Sequence, residues 1–215
     1  MKTLQLDKIT AINGDCMEYM KSLPDKAFDL AIIDPPYGIG ININIGRRKG
    51  DKNSSYHKFD GGDKSIPSAE YFQQLFRVSK NQIIWGGNYM TDFLKPSPCW
   101  LLYDKEFSDE VSFAQYELAW TSFNTSSKKF TRHPSNIKNR IHPTEKPIDL
   151  YRWILTKYAK QGDKILDTHG GSMSHAIACH NLGFELTIIE KDKDYFDAAI
   201  KRLKCHQKQQ VLQFE

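Results

Sequence analysis

Short apolar runs alternate with amphipathic stretches along most of the chain. The run at residues 30–33 is continuous, which is typical of a strand buried on both faces of a parallel sheet, and residues 164–167 are a second, short strand candidate. Residues 68–79 and 147–159 instead repeat apolar side chains at the 3.6-residue period of a helix. This alternation predicts an α/β fold with one doubly wound, mainly parallel sheet covered by helices on both faces.

The same reading divides the chain into individual elements. Strands are predicted at residues 9–13, 28–33, 82–85, 100–103, 117–121, 164–167 and 185–189. Helices are predicted at residues 68–79, 147–159, about 172–182 and 194–205. No helical pattern separates the fourth strand from the fifth, so we expect these two to form an antiparallel edge. The 215 residues are predicted to make a single domain over residues 1–215.

The strand at residues 28–33 ends in Asp34, Pro35, Pro36 and Tyr37. The two prolines cannot continue a ladder, so this group lies past the carboxyl end of a buried strand, where open α/β sheets bind ligands. The Asp34 carboxylate and the Pro35 carbonyl would offer two acceptors to a planar amine, and the Tyr37 ring would stack on the base that carries it. The alternative is an ordinary turn after a strand.

A second candidate site follows the strand at residues 164–167. Gly170 and Gly171 lie in a turn before a helix, and the next strand ends in Glu190. Glycines let a backbone approach a ligand closely, a helix N-terminus favours negative charge, and an acid about 20 residues further on is placed to bind a ribose. A βαβ turn without a ligand is the alternative, because the glycines do not complete G-x-G-x-x-G.

Composition and charge narrow the functional classes. No apolar run approaches 18 residues and no signal-peptide core begins the chain, so a cytoplasmic protein without a membrane span is expected. The four cysteines have no disulfide-framework spacing. His169, His175, Cys179 and His180 cluster, but no second ligand pair follows at the spacing of a structural zinc site, and no metal is predicted.

The net charge of +4 is unevenly distributed. We predict basic loop insertions at about residues 38–66 and 124–142 as DNA-recognition elements, because flexible basic segments beside a catalytic strand end suit phosphate contacts. The alternative is solvated loops with a few lysines. The candidate DNA-binding residues are Arg47, Arg48, Lys49, Lys128, Lys129, Arg132, Lys138 and Arg140.

Taken together, the motifs resemble those of the amino-directed DNA methyltransferases of phage and bacteria. The D-P-P-Y motif is present at residues 34–37, H-P-T-x-K-P at residues 142–147, and the D-x-x-x-G-S turn at residues 167–172. A weaker match, the turn at Asp15, resembles the acid that contacts the cofactor's adenosine. The order of the motifs is similar to that of the permuted β class.

The resemblance implies a Rossmann-like methyltransferase fold with a sheet of the seven-stranded type. It also implies an S-adenosylmethionine-dependent enzyme that methylates a flipped base in double-stranded DNA. Asp34, Pro35, Pro36 and Tyr37 would be catalytic. The implied cofactor-binding residues are Asp15, His142, Thr144, Lys146, Asp167, His169, Gly170, Gly171, Ser172 and Glu190.

Within the resembled family D-P-P-Y favours adenine N6 over cytosine N4 as the acceptor, so a site-specific adenine methyltransferase is expected. Cytosine N4 methylation and a catalytically weakened DNA-binding module are the alternatives; RNA or a protein glutamine amide are other acceptors for this chemistry. A homodimer and a cognate restriction endonuclease, as in restriction-modification, are the further partners considered.

The cofactor turn departs from the family pattern D-P-F-x-G-S-G-T. Thr168 replaces the proline, His169 the aromatic residue and Met173 the second glycine. A side chain at Met173 is expected to crowd the cofactor and to weaken its binding.

Overall fold

The computed structural model describes residues 1–40, 63–108, 114–133, 141–142 and 144–209. Its strands are β1 (Lys2–Leu6), β2 (Ile9–Asn13), β3 (Phe28–Ile33), β4 (Ser79–Trp85), β5 (Trp100–Asp104), β6 (Tyr116–Thr121), β7 (Lys128–Thr131), β8 (Lys164–Asp167) and β9 (Glu185–Glu190). Its α-helices are α1 (Cys16–Lys21), α2 (Ala69–Val78), α3 (Ile148–Tyr158), α4 (Ser174–Leu182) and α5 (Lys193–Gln207). Two short 3₁₀ turns follow β4.

All nine strands join one sheet in the order β1-β2-β9-β8-β3-β4-β6-β5-β7. The neighbours from β2 to β4 are parallel. At one end β6 is antiparallel to both β4 and β5, and at the other β1 is antiparallel to β2. The predicted α/β fold, mainly parallel sheet and antiparallel edge are therefore confirmed. The sheet has nine strands, two more than the seven that the patterns identified.

The apolar strands are covered on both faces, as their sequences require. Leu30 and Ile32 of β3 belong to a core that includes residues of α3, α4 and α5. Ala31 and Ile33 alternate with them and belong to a second core, which includes residues of α1 and α2. All four side chains are at most 1% exposed. Burying each Leu or Ile stabilises the fold by about 1.5–3 kcal/mol.

Three elements escaped the sequence patterns because each is short or exposed. These are β1, α1 and the edge strand β7, in which only Phe130 is partly buried. The expectation of a continuous loop over residues 124–142 is wrong at residues 128–131, which form β7 and pair with β5. Helix α4 begins at Ser174, two residues later than predicted.

The topology places several polar strand ends together. The carboxyl ends of β2, β9, β8 and β3 lie at the same edge of the sheet, because these strands are parallel neighbours. The chain leaves β8 toward β9 but leaves β3 toward β4, so the crossover direction reverses between β8 and β3. Such switch points are where open α/β sheets bind ligands. Among the described helices, none is long and apolar enough to cross a membrane.

Candidate active site

One cavity of about 870 Å³ lies at this edge of the sheet. Its volume is within the range of small-molecule sites, roughly 300–1,000 Å³. The cavity joins the two candidate sites, because residues 34–37 and residues 168–172 both line it. Of the predicted site residues the following line it: Asp15, Asp34, Pro35, Pro36, Tyr37, His142, Thr144, Lys146, His169, Gly170, Gly171, Ser172 and Glu190.

Asp34 is held at the end of β3 by two donors. Its Oδ1 accepts a hydrogen bond from the Tyr37 hydroxyl at 2.7 Å, and its Oδ2 accepts one from the Lys146 ammonium at 2.5 Å. The side chain is 17% exposed. Burial raises the pKa of Asp34, and the Lys146 charge opposes that rise. The result is an oriented carboxylate that stays partly accessible from the cavity.

The Tyr37 ring is packed into the protein. A Cβ at Gly86, where φ is +69°, would lie 2.2 Å from a ring carbon of Tyr37, so only glycine allows this approach. One ring face stacks on Tyr89 with centroids 5.3 Å apart. The amides of Tyr37 and Gly38 both donate to Oδ1 of Asp63, at 2.7 and 2.9 Å. A flipped base could therefore stack only on the Tyr37 ring face that is opposite Tyr89.

Lys146 links the motif at residues 142–147 to Asp34. Its ammonium, 5% exposed, donates to Asp34, to the Tyr37 hydroxyl at 3.1 Å and to Glu117 at 2.9 Å. Glu117 also pairs with Lys105 at 2.6 Å. Sequence analysis missed Glu117, although a carboxylate beside the apolar residues 118–120 was a usable signal.

The charges of this cluster support one another. Burial disfavours the ammonium of Lys146, but Asp34 and Glu117 outweigh burial and raise the pKa of Lys146. Burial likewise opposes ionisation of Glu117, but Lys146 and Lys105 lower the pKa of Glu117 to about 2. We therefore assign charged forms to Lys146 and Glu117 at neutral pH.

Asp167 does not line the cavity, although it was expected to bind the cofactor directly. Its side chain accepts from the His169 amide at 3.0 Å and contacts Nδ1 of His175 at 2.9 Å. Asp167 is only 2% exposed. The His175 ring in turn stacks on Tyr151, with centroids 4.7 Å apart. Asp167 therefore holds the shape of the turn.

The unusual residues of the turn have partners of their own. The Thr168 hydroxyl lies 2.6 Å from the hydroxyl of Tyr71 and 2.9 Å from Nδ1 of His169. The His169 ring meets Tyr71 edge-on at 5.6 Å. Burial lowers the pKa of His169 to about 4, so this ring is neutral at pH 7. His169 thus supplies a neutral aromatic wall where the resembled family has a different aromatic side chain.

Met173 does not crowd the cavity, contrary to the expectation from sequence. Its side chain is 1% exposed and lies in the apolar core beneath the turn. Its backbone has φ 53° and ψ 30°, the left-handed conformation that a glycine adopts without strain. The substitution therefore acts on backbone strain and core packing, and Met173 is not a cavity-lining residue.

We expect Met173→Gly to destabilise the fold while leaving cofactor affinity unchanged within about twofold, because Met173 lines no part of the cavity. Glycine adopts the left-handed backbone without strain, which stabilises the fold by about 1–2 kcal/mol. Loss of a buried methionine side chain costs about 2–5 kcal/mol. The net loss of about 0–4 kcal/mol would appear in urea unfolding, and calorimetry would measure affinity. Tighter cofactor binding would contradict this account.

Glu190 is a buried carboxylate at the end of β9. Its Oε2 accepts from the Gly171 amide and its Oε1 from the Asp192 amide, both at 2.7 Å. Burial raises the pKa of Glu190, while these two amides oppose the rise. Asp15 lies nearby in the cavity wall, where it caps α1 through the Met17 amide at 2.8 Å. The glycine turn and its acid are thus directly connected.

His142 and Glu145 make contacts that sequence analysis did not identify. His142 packs against Tyr195 with ring centroids 4.5 Å apart, and burial lowers the pKa of His142 to about 4. Glu145, whose side chain is fully buried, pairs with Arg202 of α5 at 2.7 Å. Arg202 also donates to the Ser172 carbonyl at 3.1 Å.

The predicted DNA-binding residues are only partly described. Lys128 and Lys129 are exposed on β7, and Lys129 pairs with Asp104 at 3.2 Å. Arg132 forms an ion pair with Asp149. The remaining candidates lie outside the described residues: Arg47, Arg48, Lys49, Lys138 and Arg140. Within the described part of the chain, no group of three or more His, Cys, Asp or Glu could hold a metal ion.

Comparison with known proteins confirms the resemblance drawn from the motifs. Residues 100–201 match the model of a family described as DNA methylase, N6_N4_Mtase. The matched residues include the H-P-T-x-K-P motif, the cofactor turn and Glu190, whereas Asp34–Tyr37 precede them. The chain is 24% identical over 251 residues to the type II methyltransferase M.HinfI of Haemophilus influenzae, covering 91% of this chain and 68% of the relative.

Two solved structures with the same fold are similar to this chain along most of its length. The crystal structure of the M1.HpyAVI–SAM complex has a TM-score of 0.61 and 20% identity, covering 91% of this chain and 98% of the other. The PvuII DNA methyltransferase, described as cytosine-N4-specific, has a TM-score of 0.62 and 11% identity, covering 92% and 90%. These similarities confirm the Rossmann-like methyltransferase fold.

Proposed function

We propose that this protein is an S-adenosylmethionine-dependent DNA methyltransferase that modifies the exocyclic amine of a flipped base, with adenine N6 as the acceptor. The observation that carries the proposal is the single cavity that joins Asp34–Tyr37 to the glycine turn and Glu190. An amine acceptor and a nucleoside cofactor would meet in that cavity. The similarity to DNA methylases over residues 100–201 supports the same activity.

The cofactor end of the cavity fits a nucleoside. Gly170 has no room for a side chain, because a Cβ there would lie 3.0 Å from Ile188 and 3.2 Å from the Ile189 carbonyl. The glycine therefore lets the turn pack closely against β9, where its amide donates to the Ile189 carbonyl at 2.7 Å, next to Glu190. Glu190 keeps lone pairs for ribose hydroxyls beyond those used by the two amides. His142 and His169, both neutral, would form aromatic walls beside Glu190.

The acceptor end suits an aromatic amine. The lone pair of such an amine is delocalised into the base, so the nitrogen is a poor nucleophile. Hydrogen bonds from the amine to the Asp34 carboxylate and the Pro35 carbonyl would favour a tetrahedral nitrogen with a localised lone pair. S-adenosylmethionine, held by the glycine turn and Glu190, would supply the methyl group from its sulfonium and leave as the thioether, and the methylated amine would release one proton to solvent. Positioning contributes much of the acceleration.

A base inside a duplex cannot reach this cavity, so we propose that the target base is flipped out of double-stranded DNA.

Cytosine N4 is the second candidate acceptor, because the cytosine-N4-specific PvuII enzyme shares this fold. The aspartate at position 34 favours adenine within the resembled family. Two observations disfavour a catalytically weakened DNA-binding module. Asp34 is held by hydrogen bonds from Tyr37 and Lys146, and the Met173 side chain does not enter the cavity. A homodimer, a partner endonuclease and a cytoplasmic location stay predictions.

Transfer of labelled methyl groups to unmethylated double-stranded DNA tests the proposal. We expect label in DNA that releases N6-methyladenine after hydrolysis to nucleosides. N4-methylcytosine would support the second candidate acceptor. Label in RNA or in a glutamine-containing peptide, with none in DNA, would overturn the DNA assignment. Cofactor binding without transfer to any acceptor would indicate a module that no longer catalyses the reaction.

A further inference from the structure

The ammonium of Lys146 is saturated by protein contacts. An ammonium has three protons, and Lys146 lies within hydrogen-bond distance of Asp34, Tyr37 and Glu117. Asp34 and Tyr37 lie in the segment that follows β3, and Glu117 lies in β6. The side chain is 5% exposed, so a cofactor carboxylate would have to displace one of these contacts to reach it. Lys146 is therefore poorly placed to serve the cofactor, the role that its motif first indicated.

Glu117 completes an alternating row of charges with Asp34, Lys146 and Lys105. During methyl transfer, positive charge leaves the sulfur and develops on the amine nitrogen beside Asp34. The anionic field of Asp34 stabilises that charge, whereas a lone lysine next to Asp34 would cancel most of it. Glu117, although it also pairs with Lys105 at 2.6 Å, offsets part of the charge of Lys146 and so keeps part of the field at Asp34.

We propose that Lys146 and Glu117 are positioning residues for the reaction: Lys146 holds the Asp34 carboxylate toward the target amine, and Glu117 balances the charge of Lys146. This inference rests on the proposed function, since it concerns the same cavity. It assigns no cofactor contact to Lys146. It also gives the charged residue in β6 a purpose, because a carboxylate beside an apolar strand segment is otherwise costly.

Lys146 and Glu117 should shift the pKa of Asp34 in opposite directions. Among the described residues, the titratable groups that face Asp34 are Tyr37 on its own segment, Lys146 just before α3, Tyr151 of α3 and Glu117 of β6. Lys146 lowers the pKa of Asp34 and Glu117 raises it. If ionised Asp34 is required, the acid limb of the kcat profile follows the pKa of Asp34.

The test compares kcat against pH for three variants, with cofactor affinity measured by calorimetry. Lys146→Met should move the acid limb upward by about 1–3 pH units and reduce kcat about 10²-fold at neutral pH, because a buried carboxylate loses its cation and its orientation. Glu117→Gln should move the limb downward. In the double variant, Asp34 loses both neighbours, so the limb should return toward its original position. Affinity for S-adenosylmethionine should stay within about threefold throughout.

A purely structural role predicts a different result, namely a lower rate at every pH with an unmoved limb. That result, or a loss of cofactor affinity in Lys146→Met, would overturn the inference. If Lys146→Met does not fold, Glu117→Gln still tests the sign, and Lys146→Arg should keep the limb in place. Asp29→Asn, at the opposite end of β3, is the matched control. Absence of methyl transfer by the unmodified protein would instead refute the proposed function.

Discussion

Replacing Asp34 with asparagine is expected to lower the rate of methyl transfer by at least about 10²–10³-fold, the loss typical of removing one preorganised group that stabilises transition-state charge. Asparagine keeps the shape of the side chain and one carbonyl acceptor. It removes the negative charge beside the amine and leaves Lys146 paired only with Glu117. The measurement is single-turnover transfer of labelled methyl groups to DNA at saturating cofactor.

Cofactor affinity separates this effect from a disturbed fold. Asp34 and Glu190 follow different strands and share no hydrogen bond, so calorimetry should give a cofactor dissociation constant within about threefold of the unmodified protein. Asp29→Asn removes a carboxylate from the start of the same strand, where Asp29 pairs with the exposed Lys80. That control should transfer methyl groups normally. Near-normal turnover by Asp34→Asn would remove Asp34 from the catalytic assignment.

The parts of the site that follow buried strands were predictable from sequence. The apolar run before Asp34 and the one before Glu190 each identified a strand, and parallel strands bring their carboxyl ends to one edge. Residues at both strand ends line the same cavity. Local pattern is informative here, because a short apolar run that ends in turn or acidic residues favours a buried strand.

Residues whose roles depend on contacts across the fold could not be placed in the same way. Glu117 is 83 positions from Asp34, and its meeting with Lys146 depends on the order of β4 and β6 in the sheet. Met173 was expected at the cavity because the sequence motif gives the position of a residue in the turn but not its backbone conformation. The left-handed backbone at Met173 directs its side chain into the core instead. Asp167 was likewise placed at the cavity, but its acceptors serve His169 and His175.

Glu190→Gln is expected to weaken S-adenosylmethionine binding by about 1.5–3 kcal/mol, the scale of hydrogen bonds to a charged group. This corresponds to a rise of about 10–150-fold in the dissociation constant. Glutamine fills the same buried volume but provides one acceptor oxygen where the carboxylate has two. The amides of Gly171 and Asp192 occupy one oxygen each, so one amide would lose its acceptor and less capacity would remain for a ribose.

The pH dependence of binding provides a second, independent readout of Glu190. Burial raises the pKa of Glu190, so protonation removes the charged acceptor as the pH falls through this raised value. Cofactor affinity of the unmodified protein should therefore be full above that pKa and decline below it, while Glu190→Gln lacks this dependence. Glu185→Gln, at the exposed start of β9, should bind like the unmodified protein. A folded Glu190→Gln variant with unchanged affinity would require the ribose to bind elsewhere in the cavity.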